Sequence, residues 1–405
     1  MHPRDHDEKR TIVLTSIFLL LSIAALILGW FSIPHLFHSN EQKAKITALS
    51  RQYAIIDFNT FLSKEPDPAS LLDEKIEQMT LEEKVGQLFI ARCPDEAAAE
   101  KARQYHLGGY ILFADDFDDK TKETIQQEIQ SYQDLADIPL FIGVDEEGGI
   151  VNRISIHPLL RAVPFWSPQD LYAEGGLELI RSDTEEKCQL LQSLGINLNF
   201  APVCDPSSDP DDFIYPRTFG KDAQAISEYV QTVVEVMNQN QIGSVLKHFP
   251  GYGNNADTHT GLVYDHRSYD TFVSNDFLPF AAGIQSGSGM VLVSHTIVCC
   301  IDADAPASLS SRVHQILRQD LAFDGVTITD DLAMAGVKKY CTEEEIAVRA
   351  ILAGNDLLCC TDFEEQIKYV LAAVEDGTIS EAQIDASLRR ILNYKIQLGI
   401  YSLNS

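Results

Sequence analysis

The segment Lys247-His-Phe-Pro-Gly-Tyr-Gly-Asn-Asn-Ala-Asp-Thr-His259 brings together a lysine, an aspartate and two histidines. Its glycines, proline and asparagines predict a loop rather than a helix. Asp257 and His259 are separated by one residue, so on an extended backbone their side chains fall on the same side. A carboxylate beside an imidazole fixes its tautomer and raises its pKa, which suits general acid–base catalysis. Read alone, the same pair is also what an ordinary polar surface loop carries. A metal centre fits less well, because the histidines lack the spacing of helical ligands and Lys247 opposes a bound cation. No metal or cofactor is expected.

A second segment, Val326-Thr-Ile-Thr-Asp-Asp331, ends in adjacent carboxylates. An aspartate there reads as a helix N-cap, and Asp331 fits that part. Asp330, at the very end of the apolar run, is expected to face a cavity instead. A carboxylate so placed can attack a sugar's anomeric carbon.

The elements that must position these groups follow one pattern. Apolar runs recur at Gly86–Cys93, Gly108–Phe113, Leu140–Val144, Ile196–Val203, Gly243–His248, Gly289–His295, Gly325–Thr329 and Asp356–Cys360, with helical stretches between them. Most are continuous rather than alternating, as expected of parallel strands buried on both faces. Eight such units predict an α/β fold, a (β/α)8 TIM-type barrel, with a doubly wound sheet as the alternative. The barrel is favoured because the runs end in polar residues: Asp145-Glu-Glu147, Asp205, Lys247-His248, Ser294-His295 and Asp330-Asp331. In a barrel those ends share one face, where active sites lie. A capping box at Thr80-Leu-Glu-Glu83 marks a helix start, and the last helix, Ser380 to Leu398, reads as amphipathic.

The 405 residues carry a net charge of −29. Such a surface repels phosphate backbones, so nucleic acid is excluded as an expected partner. Eight cysteines lie without CxxC or zinc-type spacing, several in apolar runs such as Val298-Cys-Cys300. They are expected as buried free thiols. From Thr11 to Ile33 no residue is charged, and Lys9 and Arg10 precede the stretch. That is long enough to span a bilayer. The expected organisation is a cytoplasmic tail at 1–10, an uncleaved single-pass anchor at 11–33, a stalk at 34–70 and a catalytic barrel at 71–405. The positive-inside rule puts the barrel on the extracellular side of the cell membrane; a removed signal peptide is the alternative.

The loop and the Asp330 segment together resemble glycoside hydrolase family 3, in particular its bacterial β-N-acetylglucosaminidase branch. The family loop has the form Lys-His-Phe-Pro-Gly-His-Gly, four residues, then Asp-Ser/Thr-His. This chain matches it at Lys247, His248, Phe249, Pro250, Gly251, Gly253, Asp257, Thr258 and His259. Met79-Thr-Leu-Glu-Glu-Lys-Val-Gly-Gln87, Asp145-Glu-Glu-Gly-Gly-Ile-Val-Asn-Arg153, Gly195-Ile-Asn-Leu-Asn-Phe-Ala-Pro-Val203, Arg217-Thr-Phe-Gly220 and Pro306-Ala-Ser-Leu-Ser310 are similar to further family segments. The chain departs from the pattern at Tyr252, where the family loop usually has His, and at Ile150, where Arg is common.

The resemblance implies roles. Asp330 matches the nucleophile, His259 the acid/base and Asp257 its partner. Asp145, Arg153, Arg217, Lys247 and His248 match positions that hold the terminal sugar. Many relatives draw their acid/base from a second domain; this chain is expected to draw it from the barrel, since the sequence stops after the last barrel helix. The implied activity is that of a retaining, exo-acting β-N-acetylhexosaminidase on β-linked glycans, for which peptidoglycan fragments are the expected source. A β-glucosidase or a β-N-acetylglucosaminide phosphorylase is the alternative within the family, and an inactive wall-binding protein the alternative outside catalysis.

Overall fold

The computed structural model describes residues 68–255 and 261–403. The expected tail and anchor, most of the stalk, and Asp257 and His259 lie outside them. Among the described residues, no helix is long and apolar enough to cross a membrane.

Each of the eight apolar runs contains a strand. They are β1 (Phe89–Arg92), β2 (Gly109–Leu112), β3 (Phe141–Val144), β4 (Leu198–Asn199), β5 (Gly243–Phe249), β7 (Met290–Val293), β9 (Val326–Thr329) and β10 (Leu358–Cys360). Between β5 and β9 lie two more short strands, β6 (Tyr264–Asp265) and β8 (Ile297–Val298). The eight run in the order β10-β1-β2-β3-β4-β5-β7-β9, every pairing parallel. A parallel bridge between Ile328 and Leu357 joins the two outer strands. There the Thr329 N–H donates to the Leu357 carbonyl at 3.2 Å, and the Leu357 N–H to the Thr327 carbonyl at 2.9 Å. The sheet therefore closes on itself as a TIM-type (β/α)8 barrel, not a doubly wound sheet. The strands are short and, apart from Arg92 at the end of β1, buried throughout, which explains why they read as apolar runs.

β6 and β8 pair with each other alone, in parallel, beside the barrel. At two residues apiece they are too short to leave a periodic trace in the sequence. The expected capping box is present: Thr80 accepts from the Glu83 N–H, and the Glu83 carboxylate accepts from the Thr80 N–H at 2.7 Å. All eight cysteines are free. Cys93, Cys188, Cys204, Cys359 and Cys360 are buried, and burial pushes the Cys93 thiol up to about 12. The expectation of a core position fails for Cys300, which is exposed at the turn after β8, and Cys299 and Cys341 are half-buried.

The last helix, Glu381–Gln397, buries Ile384, Leu388, Ile391 and Leu392 along one stripe, and Lys395 continues that stripe. Lys395 is fully buried; its Nζ donates to Gln87 Oε1 at 2.8 Å and sits 5.0 Å from the Phe141 ring centroid. Burial pulls its pKa from 10.5 down to about 7. The unfolded lysine keeps its proton up to about pH 10.5 and the folded one releases it near 7, so the unfolded state binds more protons in between. Stability contributed by this site therefore rises with pH across that window. Lys395→Met is expected to be more stable than the parent by about 2 kcal/mol at pH 7 and to lose that advantage by about pH 9. Denaturant unfolding of both proteins at the two pH values checks this. A difference independent of pH contradicts it.

Candidate active site

Parallel strands place all their C-terminal ends on one face, and the polar strand ends gather there. Lys247, near the C-terminal end of β5, is almost fully buried. Its Nζ lies 2.6 Å from Asp145 Oδ1 and 2.6 Å from Glu147 Oε1, both carried by the segment that leaves β3. Arg217 forks onto the same Glu147, with Nε 3.0 Å from Oε2 and Nη2 2.7 Å from Oε1. Burial alone would raise the Glu147 carboxyl, but Arg217 and Lys247 outweigh it and hold it well below the ordinary carboxylate range. Burial likewise opposes the charge on Arg217, and Glu147 more than restores it.

Arg217 closes the short turn Tyr215–Arg217 after β4. Gln169, at the start of the helix Pro168–Leu194, pins that turn by donating to the carbonyls of Tyr215 at 2.8 Å and Thr218 at 3.2 Å. Arg217 Nη2 also approaches His248 Nε2 at 3.1 Å. A guanidinium only donates, so Nε2 accepts, and Nδ1–H donates to Asp205 Oδ2 at 2.8 Å. Asp205 is fully buried after β4. It also accepts from the backbone N–H groups of His248 at 3.1 Å and Tyr252 at 2.7 Å. One carboxylate thus sets the tautomer of His248 and the course of the loop after it.

Arg153 stands farther out. Its Nη2 is 4.0 Å from Asp145 Oδ2, its guanidinium is 5.6 Å from the Phe113 ring, and its buried Nε has no hydrogen-bond partner among the described residues. The turn carrying it is shaped by Glu146, whose carboxylate accepts from the N–H groups of Arg153 at 2.9 Å and Ile154 at 2.8 Å. Asp330 follows β9. Its N–H donates to the Val293 carbonyl of β7 at 3.1 Å, and its Oδ1 accepts from the Asp331 N–H at 3.0 Å. Asp331 turns away from it. It accepts from Ala333 N at 2.8 Å and from Thr361 Oγ1 at 2.6 Å. The expected N-cap is therefore a cap of the turn at Ala333 and a tie to the end of β10. The helix Ala335–Lys338 is preceded by Met334, which makes no side-chain cap.

The structure thus joins Asp145, Lys247, Arg217 and His248 in one bonded network, with Arg153 at its edge and Asp330 two barrel strands from β5. Asp257 and His259 lie outside the described residues. Sequence reasoning missed Glu147 and Asp205, the two carboxylates on which the cations and His248 are built. Both stood in view as polar residues ending apolar runs. The departures from the family pattern are placed as well. Tyr252 is buried, its ring edge-on to His248 at 5.6 Å and beside Phe213 at 5.9 Å. Ile150 is exposed at the tip of the turn closed by the Gly148–Val151 bridge. Among the described residues, Glu83, His106 and Asp137 form the one grouping spaced for a metal ion. They precede β1, β2 and β3, at the opposite end of the barrel, and Lys75 and Arg103 line the same hollow.

A closed barrel that buries ion pairs at its C-terminal mouth, instead of apolar side chains, sets a polar site on the face where TIM barrels carry their chemistry. Comparison with known proteins gives the family. The chain belongs to glycosyl hydrolase family 3: the family's N-terminal domain matches residues 72–394. It is 29% identical over 328 residues to β-hexosaminidase A of Pseudoalteromonas piscicida, covering 74% of this chain and 55% of that one. It is 29% identical over 326 residues to the β-hexosaminidase LpqI of Mycobacterium tuberculosis, covering 77% and 82%. A solved family 3 β-N-acetylglucosaminidase from Paenibacillus sp. superposes with a TM-score of 0.74 at 30% identity, over 81% of this chain and 64% of that one. The chain therefore spans little more than half of the Pseudoalteromonas protein but most of the mycobacterial one.

Proposed function

We propose that this chain is a retaining, exo-acting β-N-acetylhexosaminidase that releases terminal N-acetylglucosamine from β-linked glycans. The observation that carries the reading is the buried network of Asp145, Glu147, Lys247, Arg217 and His248. Its charges are internally compensated, which suits a neutral ligand. Its donors are charged and held in fixed directions, as recognition of several hydroxyls on one sugar requires. The Nε of Arg153, without a partner among the described residues, is a further donor for a ligand oxygen. Asp330 is then the nucleophile. It attacks C1 while His259, as imidazolium, protonates the leaving oxygen. In the second step His259 takes a proton from water, which attacks C1 and frees Asp330. Asp257 orients His259. Support for these last roles comes from the sequence pattern and from relatives named as β-hexosaminidases.

The uncharged run 11–33 and the basic pair before it support an anchor that holds the barrel outside the cell membrane. Peptidoglycan-derived glycans are the substrates within reach of such a barrel. The activity is tested on chromogenic β-N-acetylglucosaminide and β-glucoside substrates, each with and without phosphate. Faster release from the N-acetylglucosaminide, independent of phosphate, is expected. A preference for the glucoside contradicts the substrate, and a phosphate requirement contradicts hydrolysis. Binding of peptidoglycan fragments without any turnover contradicts catalysis altogether.

A further inference from the structure

Five residues, 256–260, separate Asn255 from Gly261, and Asp257 and His259 are among them. The segments on both sides of that stretch meet at one side chain, Arg267, whose Nη2 donates to the Gly251 carbonyl at 3.4 Å. Its Nε lies 3.1 and 2.9 Å from the two oxygens of Asp265 in β6, and its Nη2 is 2.8 Å from Asp265 Oδ2. Its Nη1 lies 2.9 and 3.0 Å from the two oxygens of Asp276. Asp276 directly precedes the barrel helix Phe277–Gln285, and the guanidinium lies over the Phe272 ring at 4.4 Å. Both carboxylates are buried.

The near side of the loop closes onto the same cluster. Asn255 Nδ2 donates to Asp265 Oδ2 at 2.7 Å and to the Tyr252 carbonyl at 2.8 Å. Gly251 and Gly253 both have positive φ, and their missing side chains make the room. A Cβ on Gly251 would run into the Asp276 carboxylate, and one on Gly253 into the Arg267 guanidinium. The far side is fixed by β6 pairing with β8, where the Cys299 N–H donates to the Asp265 carbonyl at 2.9 Å. Burial raises the Asp276 carboxyl to about 6, and Arg267, helped by Asn275, opposes that rise.

We infer that Arg267 is a positioning residue for proton transfer: by gripping Asp265 and Asp276 at once, it fixes the two ends of the loop that carries Asp257 and His259. The inference rests on the reading of His259 as the acid/base. A planar fork holds two carboxylates in set directions, whereas a lysine ammonium is a point charge that cannot reproduce both bidentate contacts. Arg267→Lys therefore keeps the charge and relaxes the grip.

The test compares kcat/KM, which reports formation of the glycosyl-enzyme, on two substrates. One is a N-acetylglucosamine disaccharide, whose leaving group needs a proton; the other is the dinitrophenyl glycoside, whose leaving group does not. For Arg267→Lys a loss of about 10- to 100-fold is expected on the disaccharide and less than about 3-fold on the dinitrophenyl glycoside. With the dinitrophenyl glycoside, azide is expected to restore kcat, since it replaces the base-assisted water. Sites are counted with a slow fluoro-sugar inactivator, so partial unfolding lowers both substrates alike and is corrected. Equal losses on the two substrates, or no loss on either, overturn the inference. His259→Ala, run alongside, tests the underlying reading separately. If it shows no selectivity between the substrates, His259 is not the acid/base and the inference falls with it.

Discussion

Asp330→Asn is expected to lower turnover by roughly 10⁴-fold or more while leaving the barrel intact. The Asp330 side chain accepts the Asp331 N–H through Oδ1, a contact that an amide oxygen reproduces. Its backbone bond to Val293 does not involve the side chain. The network proposed to hold the sugar belongs to the ends of β3, β4 and β5, so binding of N-acetylglucosamine is expected within about threefold of the parent. An amide cannot form the ester intermediate, and it withdraws the negative charge that stabilises a developing oxocarbenium ion. The variant is checked by steady-state rates, calorimetric sugar binding and thermal unfolding. Turnover near that of the parent removes Asp330 from the mechanism.

Glu147→Gln is expected to damage binding and stability together. Glu147 accepts from Lys247 and from both arms of Arg217, and all three groups are buried or nearly so. The amide leaves two buried cations short of a partner, which costs about 3 kcal/mol. It also frees Lys247 and Arg217 to shift, so hydroxyl recognition is lost in the ground state and the transition state alike. We expect kcat/KM to fall by roughly 100-fold, with much of the loss in KM. The depressed Glu147 pKa fixes the sign of its pH dependence. Its contribution is present above the unfolded carboxylate range, near pH 4.5, and is lost only in strong acid. The stability difference between the parent and Glu147→Gln is therefore expected to be constant from pH 5 to 8 in denaturant titrations. An unchanged KM refutes the binding role, and a difference that vanishes near pH 6 refutes the ionised pair.

The barrel was legible because its strands bury both faces and its helices one, so each leaves a distinct pattern. β6 and β8 were not, since two residues carry no periodicity, yet they hold one side of the loop. Lys247 and Arg217 were legible as chemical residues from their motifs. What could not be read was their mutual partner: Glu147 lies 70 residues from Arg217 along the chain, and the parallel pairing of β3 with β4 brings them to 2.7 Å. Asp205 was hidden similarly, because the groups that donate to it, His248 in β5 and the Tyr252 N–H beyond that strand, lie 43 and 47 residues farther along the chain. Lys395 reads in sequence as an ordinary helix-end cation; its place on the buried stripe, one turn after Ile391, is the signal that betrays it.

If the sugar is transferred to Asp330 before it reaches water, the ester can be trapped with a 5-fluoro-N-acetylglucosaminyl fluoride, and the labelled peptide sequenced by mass spectrometry after digestion. One label per barrel is expected, on Asp330, removed on standing as activity returns. A label on another residue, or complete turnover of natural substrate with inverted anomeric configuration and no label, would contradict it.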